Sequence, residues 1–200
     1  YGEKIVVIGL GLVGLITVQL LKANGCDVIG IDYDKNKCDI AKSYGATIIN
    51  PAKEDVVQVV NNQTKMIGAD AVIIAAATKS NDVISQAANI SRKKGRIILV
   101  GVVGLDINRA DFYEKELTFQ VSCSYGPGRY DKEYEEEGND YPLAYVRWTE
   151  KRNFECILDS ISKRQLDFSK LVTDIVPFEK CKQIYDQMNS SESIASILRY

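Results

Sequence analysis

Three glycines near the amino terminus have the spacing of a phosphate-binding turn. Gly9, Gly11 and Gly14 form the pattern G-x-G-x-x-G within VIGLGLVG. In such a turn the first glycine permits the tight bend, the second lets a pyrophosphate approach the backbone, and the third lets helix and strand pack closely. The N–H groups of Leu12 and Val13 would meet the pyrophosphate at the positive end of the helix. A strand before the turn and a helix after it favour dinucleotide binding over a turn without a ligand.

An aspartate lies where dinucleotide-binding proteins carry the carboxylate that binds a ribose. Asp32 closes the second predicted strand, roughly 20 residues beyond the last glycine of the turn. Its carboxylate would accept hydrogen bonds from the ribose hydroxyls and repel a 2′-phosphate, so the sequence favours NAD(H) over NADP(H). Tyr33 follows directly and is assigned to the same site. Lys37 would soften this preference if it faced the ribose; the alternative is a solvated lysine on a helix surface.

Small residues follow the fourth and fifth predicted strands. In a doubly wound sheet, ligands bind in the crevice outside the carboxyl ends of the strands. We therefore predict that Ala76 and Ala77, after strand four, and Gly101 and Val102, after strand five, contact the cofactor. The alternative is that these small residues only permit close packing between the sheet and its helices.

The segments that position these residues alternate between apolar runs and amphipathic stretches. Uniformly apolar strands separated by helices are typical of a parallel sheet covered on both faces. This pattern predicts an α/β fold, a three-layer, doubly wound parallel sheet of the Rossmann type with about six strands. The predicted strands span residues 4–9, 27–32, 46–50, 70–77, 96–101 and 116–123.

Helices are predicted between these strands and again in the last third of the chain. One follows Pro51, and the stretch 80–95 is predicted as a single helix. A further helix begins near Thr149, with apolar residues Phe154, Ile157, Leu158 and Ile161 at helical spacing. After a short strand, Pro177 opens a last helix, since proline is favoured in the first turn. Its apolar face consists of Cys181, Ile184, Tyr185 and Met188.

Composition and charge exclude several classes of protein. A net charge of −2 and a pI near 5.4 predict no surface for nucleic acid or an anionic membrane, and no apolar run approaches the roughly 20 residues that span a bilayer. The sequence has no histidine, which excludes a Ser–His–Asp triad and histidine-ligated metals. No catalytic or metal-ligating residue is therefore assigned. The five cysteines include no CxxC pair, which predicts reduced thiols in a cytoplasmic protein.

Several stretches together resemble the cofactor domain of medium-chain, zinc-type alcohol and polyol dehydrogenases. They are GEKIVVIGLGLVG at the amino terminus, DYDKNKCDIAKSYGA after strand two, KELTFQVSCSYGPGRYD at strand six and LVTDIVPFEKCKQIYDQM near the carboxyl terminus. The resemblance covers nearly the whole chain. It implies the NAD(H)-binding domain of an enzyme that transfers a hydride between nicotinamide and an alcohol or sugar-derived substrate.

The same resemblance implies that residues 1–200 form one dinucleotide-binding domain of a longer protein. In these dehydrogenases a separate barrel-like domain carries most of the catalytic apparatus. Zinc is therefore expected only through that domain, and this chain alone is expected to be inactive. Strand six, at residues 117–123, would form the edge of a homodimer. The stretch 112–158 more narrowly resembles bacterial proteins in which this half is fused to a half of the Gfo/Idh/MocA sugar-oxidoreductase type.

Two other classes of protein use a similar glycine turn. A regulatory nucleotide sensor, such as the ligand-binding domains of potassium transport systems, would bind NAD or ATP without redox chemistry. A methyltransferase fits less well, because the acid after strand two and the three-glycine pattern match dinucleotide binding. The dehydrogenase-like stretches at strand six and near the carboxyl terminus favour the redox interpretation over both.

Residues 124–150, which we call the rim segment, differ from the rest of the chain. They hold five of the eleven tyrosines, the only tryptophan, and a net charge of −4 from seven acids and three bases. In the resembled family this position lies at the rim where nicotinamide and substrate meet. Three roles are open: docking against another domain or subunit, lining the substrate cleft, or a solvated loop.

Overall fold

Six parallel strands form the central sheet. The computed structural model describes residues 1–187 and 193–200. The strands are β1 (Lys4–Ile8), β2 (Asp27–Ile31), β3 (Thr47–Ile49), β4 (Ala69–Ile74), β5 (Ser91–Leu99) and β6 (Thr118–Val121). They lie in the order β3-β2-β1-β4-β5-β6, which is the order of a doubly wound dinucleotide-binding sheet. The predicted fold class is therefore confirmed.

Helices cover both faces of this sheet. They are α1 (Leu12–Ala23), α2 (Lys35–Ser43), α3 (Val56–Gln63), α4 (Asp82–Ile90) and the short α5 (Arg109–Tyr113). Val6 of β1 packs in one apolar cluster with Val60 of α3 and Ile84 of α4, whereas Val7 packs in the other with Leu15 of α1. Each such side chain stabilises the fold by about 1.5–3 kcal/mol relative to exposure. Within the described ranges, no helix combines the length and apolarity needed to cross a membrane.

Two of these helices differ in their bounds from the sequence prediction. Helix α3 begins at Val56 and not directly after Pro51, because the carboxylate of Asp55 accepts a hydrogen bond from Gln58 N at 3.0 Å and caps the helix there. The predicted helix 80–95 ends at Ile90, and β5 begins at Ser91.

The early end of α4 has a tertiary cause. The ammonium of Lys115, which follows α5, donates to the carbonyl oxygens of Ala88, Asn89 and Ser91 at 2.8–2.9 Å. A cation satisfies the free carbonyls at a helix carboxyl end and stabilises that end. The hydroxyl of Ser91 also donates to the carbonyl oxygen of Ala87 at 2.7 Å. A residue far along the chain therefore sets a boundary that helical periodicity does not show.

The last third of the chain adds helices α6 (Lys132–Glu135), α7 (Glu150–Ser162) and α8 (Cys181–Gln187) and a two-stranded parallel sheet of β7 (Val172–Pro177) and β8 (Ala195–Arg199). Helix α7 begins directly after Thr149, as predicted, although its Phe154 and Leu158 side chains are exposed. The last helix follows a single 3₁₀ turn at Phe178–Lys180. Met188, predicted for its apolar face, lies outside the described residues.

A buried glutamine joins this last third to the central domain. The side-chain amide of Gln19 on α1 donates to the carbonyl oxygen of Asp167 at 3.0 Å and accepts from Asp167 N at 2.6 Å. The neighbouring Leu166 and Leu171 are buried as well. Burial of an amide is favourable only when its donor and acceptor are both satisfied, and here both bond to one backbone residue. We refer to this pair of hydrogen bonds as the Gln19 clamp.

Candidate cofactor site

Two of the three turn glycines are required by the fold itself. Gly9 has φ +91°, and a Cβ there would lie 2.6 Å from Ala76 N. A Cβ on Gly14 would lie 1.9 Å from the carbonyl oxygen of Gly9. Both distances are shorter than any carbon side chain tolerates. These glycines therefore bring the turn, α1 and the end of β4 into close contact, whether or not a ligand is present.

Gly11 is different, because nothing in the protein demands it. Its φ is −66°, which any residue adopts, and a Cβ there would have no atom within 4 Å. The absence of a side chain leaves open space directly in front of α1. A glycine at such a position lets a ligand approach the backbone closely.

The amino-terminal end of α1 is free of the caps that close neighbouring helices. Helix α2 is capped by the carboxylate of Asp34 and α3 by that of Asp55, but α1 has no side-chain cap and no acid in its first turn. Leu12 and Val13 at this end are exposed. An uncapped helix start presents N–H groups and a positive dipole end, which together suit a phosphate.

Asp32 connects the glycine turn to the end of β2. Its carboxylate accepts hydrogen bonds from Leu10 N at 2.7 Å and from Asp34 N at 2.9 Å. A carboxylate has about four lone-pair sites, so it can accept a ribose hydroxyl as well. The side chain therefore fixes the turn and also faces the cavity described next.

A cavity of about 410 Å³ lies at the carboxyl edge of the sheet beside β1, β2 and β4. This volume falls in the range of small-molecule sites. Of the residues predicted from the sequence, it is lined by Gly9, Asp32, Tyr33, Ala76 and Ala77. Its other lining residues are Ile8, Ile31, Pro51, Thr78, Ser80, Asp82, Val83 and Gln86.

Some of the other lining residues carry a usable signal in the sequence. Thr78 belongs to the stretch after strand four that the sequence places at the crevice, and Pro51 follows the carboxyl end of β3, so the same rule applies to it. Asp82, Val83 and Gln86 belong to the start of α4. They lie at the cavity because of the way this helix packs beside β1, which the sequence does not show.

Seven residues assigned to the cofactor do not line this cavity. Gly11, Leu12, Val13 and Gly14 form the helix start beside it. Gly101 packs against β4, since a Cβ there would lie 2.1 Å from the carbonyl oxygen of Ala76. Val102 forms a bridge with Ala77 and is 75% exposed. The ammonium of Lys37 lies 3.7 Å from the carboxylate of Asp34.

The rim segment contributes no residue to the cavity and is organised around its own tyrosines. The rings of Tyr134 and Tyr141 stack with centroids 5.5 Å apart. The hydroxyl of Tyr134 donates to Thr149 Oγ1 at 3.1 Å and accepts from Lys151 N at 3.0 Å. Tyr145, at 88% exposure, remains in solvent. The segment is therefore an ordered unit, partly packed on itself and partly exposed.

The cysteines are all free, and two are buried in the sheet domain. Burial raises the pKa of the Cys38 thiol to about 11, and the thiol donates to the carbonyl oxygen of Asp32 at 3.3 Å. A thiol with a raised pKa is a poor nucleophile and a poor metal ligand at neutral pH. Cys38 is thus a packing residue next to the candidate cofactor site.

The described part of the chain does not fit a metal centre. In residues 1–187 and 193–200, no three cysteine, aspartate or glutamate side chains come together as potential ligands, and the sequence has no histidine. Zinc sites in proteins are built from three or four such ligands.

Comparison with known proteins gives a consistent result. A profile of the family described as zinc-binding dehydrogenase matches residues 13–139. The chain is 30% identical over 194 residues to D-guloside 3-dehydrogenase of Escherichia coli K12, covering 93% of this chain and 51% of that protein. It is 27% identical over 206 residues to a probable D-xylulose reductase A of Aspergillus clavatus, covering 98% of this chain and 50% of that protein.

A solved structure supports the same fold. An alcohol dehydrogenase of Escherichia coli CFT073, determined with NADH, superposes with a TM-score of 0.76 at 20% identity, covering all of this chain and 52% of that one. At this identity the likeness concerns the fold alone. The chain spans about half the length of the relatives it matches.

Proposed function

Because this chain belongs to the zinc-binding dehydrogenase family, we propose that it is the NAD(H)-binding half of an oxidoreductase acting on an alcohol or a sugar-derived polyol. The observation that carries the proposal is Gly11, the one turn glycine that the fold does not require. It stands in front of the uncapped start of α1 and close to Asp32. A family member that binds a dinucleotide needs that combination of features, and a bare turn does not.

Each part of the site has a task toward the cofactor. The N–H groups of Leu12 and Val13 bind the pyrophosphate, and Gly11 gives it room. The carboxylate of Asp32 accepts hydrogen bonds from the adenosine ribose. The cavity beside Tyr33 takes the adenine. Bound nicotinamide supplies the hydride chemistry, while these residues fix its position.

Asp32 supports NAD(H) over NADP(H). A carboxylate beside the ribose repels a 2′-phosphate, and an arginine is the usual partner for that phosphate. The nearest predicted cation, Lys37, has its ammonium 3.7 Å from the carboxylate of Asp34. The side chain of Lys37 is only 21% exposed, so it is not a solvated lysine, and its ion pair supports a role toward Asp34 over one toward a 2′-phosphate.

The substrate class rests on the names of the relatives. D-guloside 3-dehydrogenase and D-xylulose reductase A are named for sugar-type substrates, which supports a polyol or sugar substrate for the whole protein. The described residues do not fit a zinc site, so we derive no step through zinc and assign substrate activation to a separate barrel-like domain. The matched family favours this redox function over a nucleotide sensor.

Three finer points belong to the same proposal. A homodimer would form through β6, whose Val121 is 58% exposed at the sheet edge. The rim segment would lie at the junction with the second domain. The long stretch 112–158 supports a fusion to a sugar-oxidoreductase half of the Gfo/Idh/MocA type.

Calorimetric titration with NADH, NADPH and ATP tests the cofactor assignment. We expect NADH to bind most tightly and Gly11→Ala to weaken it at least tenfold, because the added methyl group occupies the space of the pyrophosphate. The melting temperature should stay unchanged, since nothing in the fold touches that methyl group. Asp32→Ala should weaken NADH binding as well.

Asp39→Ala is the matched control. Asp39 is an exposed aspartate on α2 that pairs with Lys35, so its loss should leave NADH binding as it is. Clear ATP binding without NADH binding would refute the dehydrogenase assignment and favour the sensor. Unchanged NADH affinity in Gly11→Ala would refute the proposed pyrophosphate site.

A further inference from the structure

Asn81 makes a contact that its place before α4 does not explain. Asparagine at a helix N-cap usually accepts a hydrogen bond from a backbone N–H of the first turn. The side chain of Asn81 makes no such bond. Its Oδ1 instead accepts from Asp106 N at 3.1 Å, in the loop that follows β5.

This bond is one of several between two loops at the carboxyl edge of the sheet. Residues 76–82 follow β4, and residues 100–106 follow β5. Val102 N donates to the carbonyl oxygen of Ala76 at 3.1 Å, and Thr78 N donates to that of Val102 at 2.9 Å. Gly104 N donates to the carbonyl oxygen of Ser80 at 3.2 Å. Asn81 adds the only side-chain bond of this set within the described chain, at the far end of both loops.

Gly104 leaves the space that this contact needs. A Cβ on Gly104 would lie 2.0 Å from Asn81 Oδ1 and 3.0 Å from the carbonyl oxygen of Lys79. A side chain at this position would therefore displace the Asn81 amide from Asp106 N. The side chain of Asn81 can therefore bond to Asp106 N because residue 104 is a glycine. The two residues form one arrangement.

The two loops follow neighbouring strands that lie at different distances from Asp32, because β4 pairs with β1 and β5 is one strand further from β2. Residues 76–82 supply Ala76, Ala77, Thr78, Ser80 and Asp82 to the cavity beside Asp32. A doubly wound sheet is built from two mononucleotide-binding halves, and the ligand crosses between them at the switch point. Both loops belong to the second half, and the loop after β5 lies further along it, away from β2 and the cavity beside Asp32.

We propose that Asn81 is a positioning residue for the nicotinamide half of the cofactor. By holding Asp106 N it fixes the loop 100–106 against the wall of the adenosine cavity and thereby sets the surface that meets the nicotinamide riboside. This inference rests on the proposed function. Asn81 influences the position of the nicotinamide half of the ligand and makes no contact with the adenosine half.

The test compares two ligands by calorimetry, with the wild-type chain and Asn81→Ala. NADH carries both halves, whereas ADP carries the adenosine and the diphosphate without the nicotinamide riboside. We expect Asn81→Ala to weaken NADH binding roughly 3- to 10-fold, which is the effect of losing one hydrogen bond. The affinity for ADP should change by less than about twofold. The emission of bound NADH should also shift toward that of free NADH.

Three further variants separate positioning from general stability. Asn81→Asp keeps an oxygen acceptor for Asp106 N and should keep the wild-type ratio of NADH to ADP affinity. Asn89→Ala removes an exposed asparagine at the opposite end of α4 and should change neither ligand. Gly104→Ala should reproduce the loss caused by Asn81→Ala, and the double variant should lose no more than either single variant.

The outcomes distinguish this inference from the proposed function. Equal losses of NADH and ADP binding, or no loss of either, in Asn81→Ala would overturn the inference while wild-type NADH binding upholds the function. A wild-type chain that binds no NADH would overturn both.

Discussion

The sheet domain and the rim segment are held together by different forces. In the sheet domain, aliphatic side chains such as Leu15 and Ile74 are fully buried between sheet and helices. In the rim segment every large side chain keeps some contact with solvent, and the buried residues are Gly128 and Thr149. Its structure depends on stacked tyrosines and on hydrogen bonds to hydroxyl and carboxylate groups. The stabilisation from nonpolar burial has no preferred direction and grows with the buried area, whereas a hydrogen bond depends on the positions of single atoms.

This difference separates what each region contributes to function. A sheet packed on both faces holds the glycine turn in one geometry, as a cofactor site requires. A segment held by a few polar contacts keeps aromatic surface exposed, which suits the proposed junction with a second domain. Substitutions that remove each kind of force measure the difference directly.

The largest effect is expected from Leu15→Ala. Leu15 is fully buried on α1, and the lost methyl groups together with the cavity they leave cost about 2–5 kcal/mol. Urea unfolding measures the loss. Leu143→Ala in the rim segment is the control, because Leu143 is 58% exposed and its loss should change the free energy of unfolding by less than about 0.5 kcal/mol. Equal losses would erase the distinction between the two regions.

A smaller effect is expected from Tyr134→Phe. The lost hydroxyl bonds to Thr149 Oγ1 and Lys151 N, and the local free energy of opening should fall by about 1–2 kcal/mol. Hydrogen exchange at the Lys151 amide reports it. Tyr145→Phe removes a hydroxyl from a tyrosine that is 88% exposed and should change nothing. An unchanged exchange rate in Tyr134→Phe would show that stacking alone orders the segment.

The smallest effect is expected from acid. The sheet domain also holds a carboxyl of lowered pKa, Asp70, but its buried aliphatic core should keep it folded when the rim segment loses its order. The hydroxyl of Tyr141 lowers the pKa of Asp131 below its ordinary 3.8, and the guanidinium of Arg129 lowers the pKa of Glu135 below its ordinary 4.5. Both carboxylates therefore favour the ordered segment above these ordinary values, and this contribution is lost as the pH falls through the lowered values. Near-ultraviolet circular dichroism from tyrosine should change before the far-ultraviolet signal does. Simultaneous loss of both signals would contradict the comparison.

The regions also differ in how far the sequence predicts them. The apolar runs of β1 and β4 and the spacing of Gly9, Gly11 and Gly14 are local patterns, and the structure confirms the doubly wound parallel sheet that they predict. The sequence prediction placed the end of α4 too late, because the residue that sets this end, Lys115, is distant in sequence. The bond from Asn81 to Asp106 has no local pattern either.

The residues of the candidate site also differ in whether the sequence predicts them. Asp32 follows from its distance to the glycine turn, and Tyr33 from its place beside Asp32. Gln86 lines the cavity only because α4 packs where it does. In the rim segment the number of tyrosines is visible in the sequence, but the pairing of Tyr134 with Tyr141 is not. A single pair of stacked rings produces no repeating pattern in the sequence, so the sequence does not identify the two partners.

The Gln19 clamp has a mechanical consequence. Two hydrogen bonds from one amide hold both the N–H and the C=O of Asp167, and the hydroxyl of Tyr44 donates to the same carbonyl oxygen at 3.2 Å, so this residue is fixed to the end of α2 and to α1. That helix begins at the glycine turn. A displacement of the chain before β7 would therefore be transmitted through α1 to the turn where the pyrophosphate is proposed to bind.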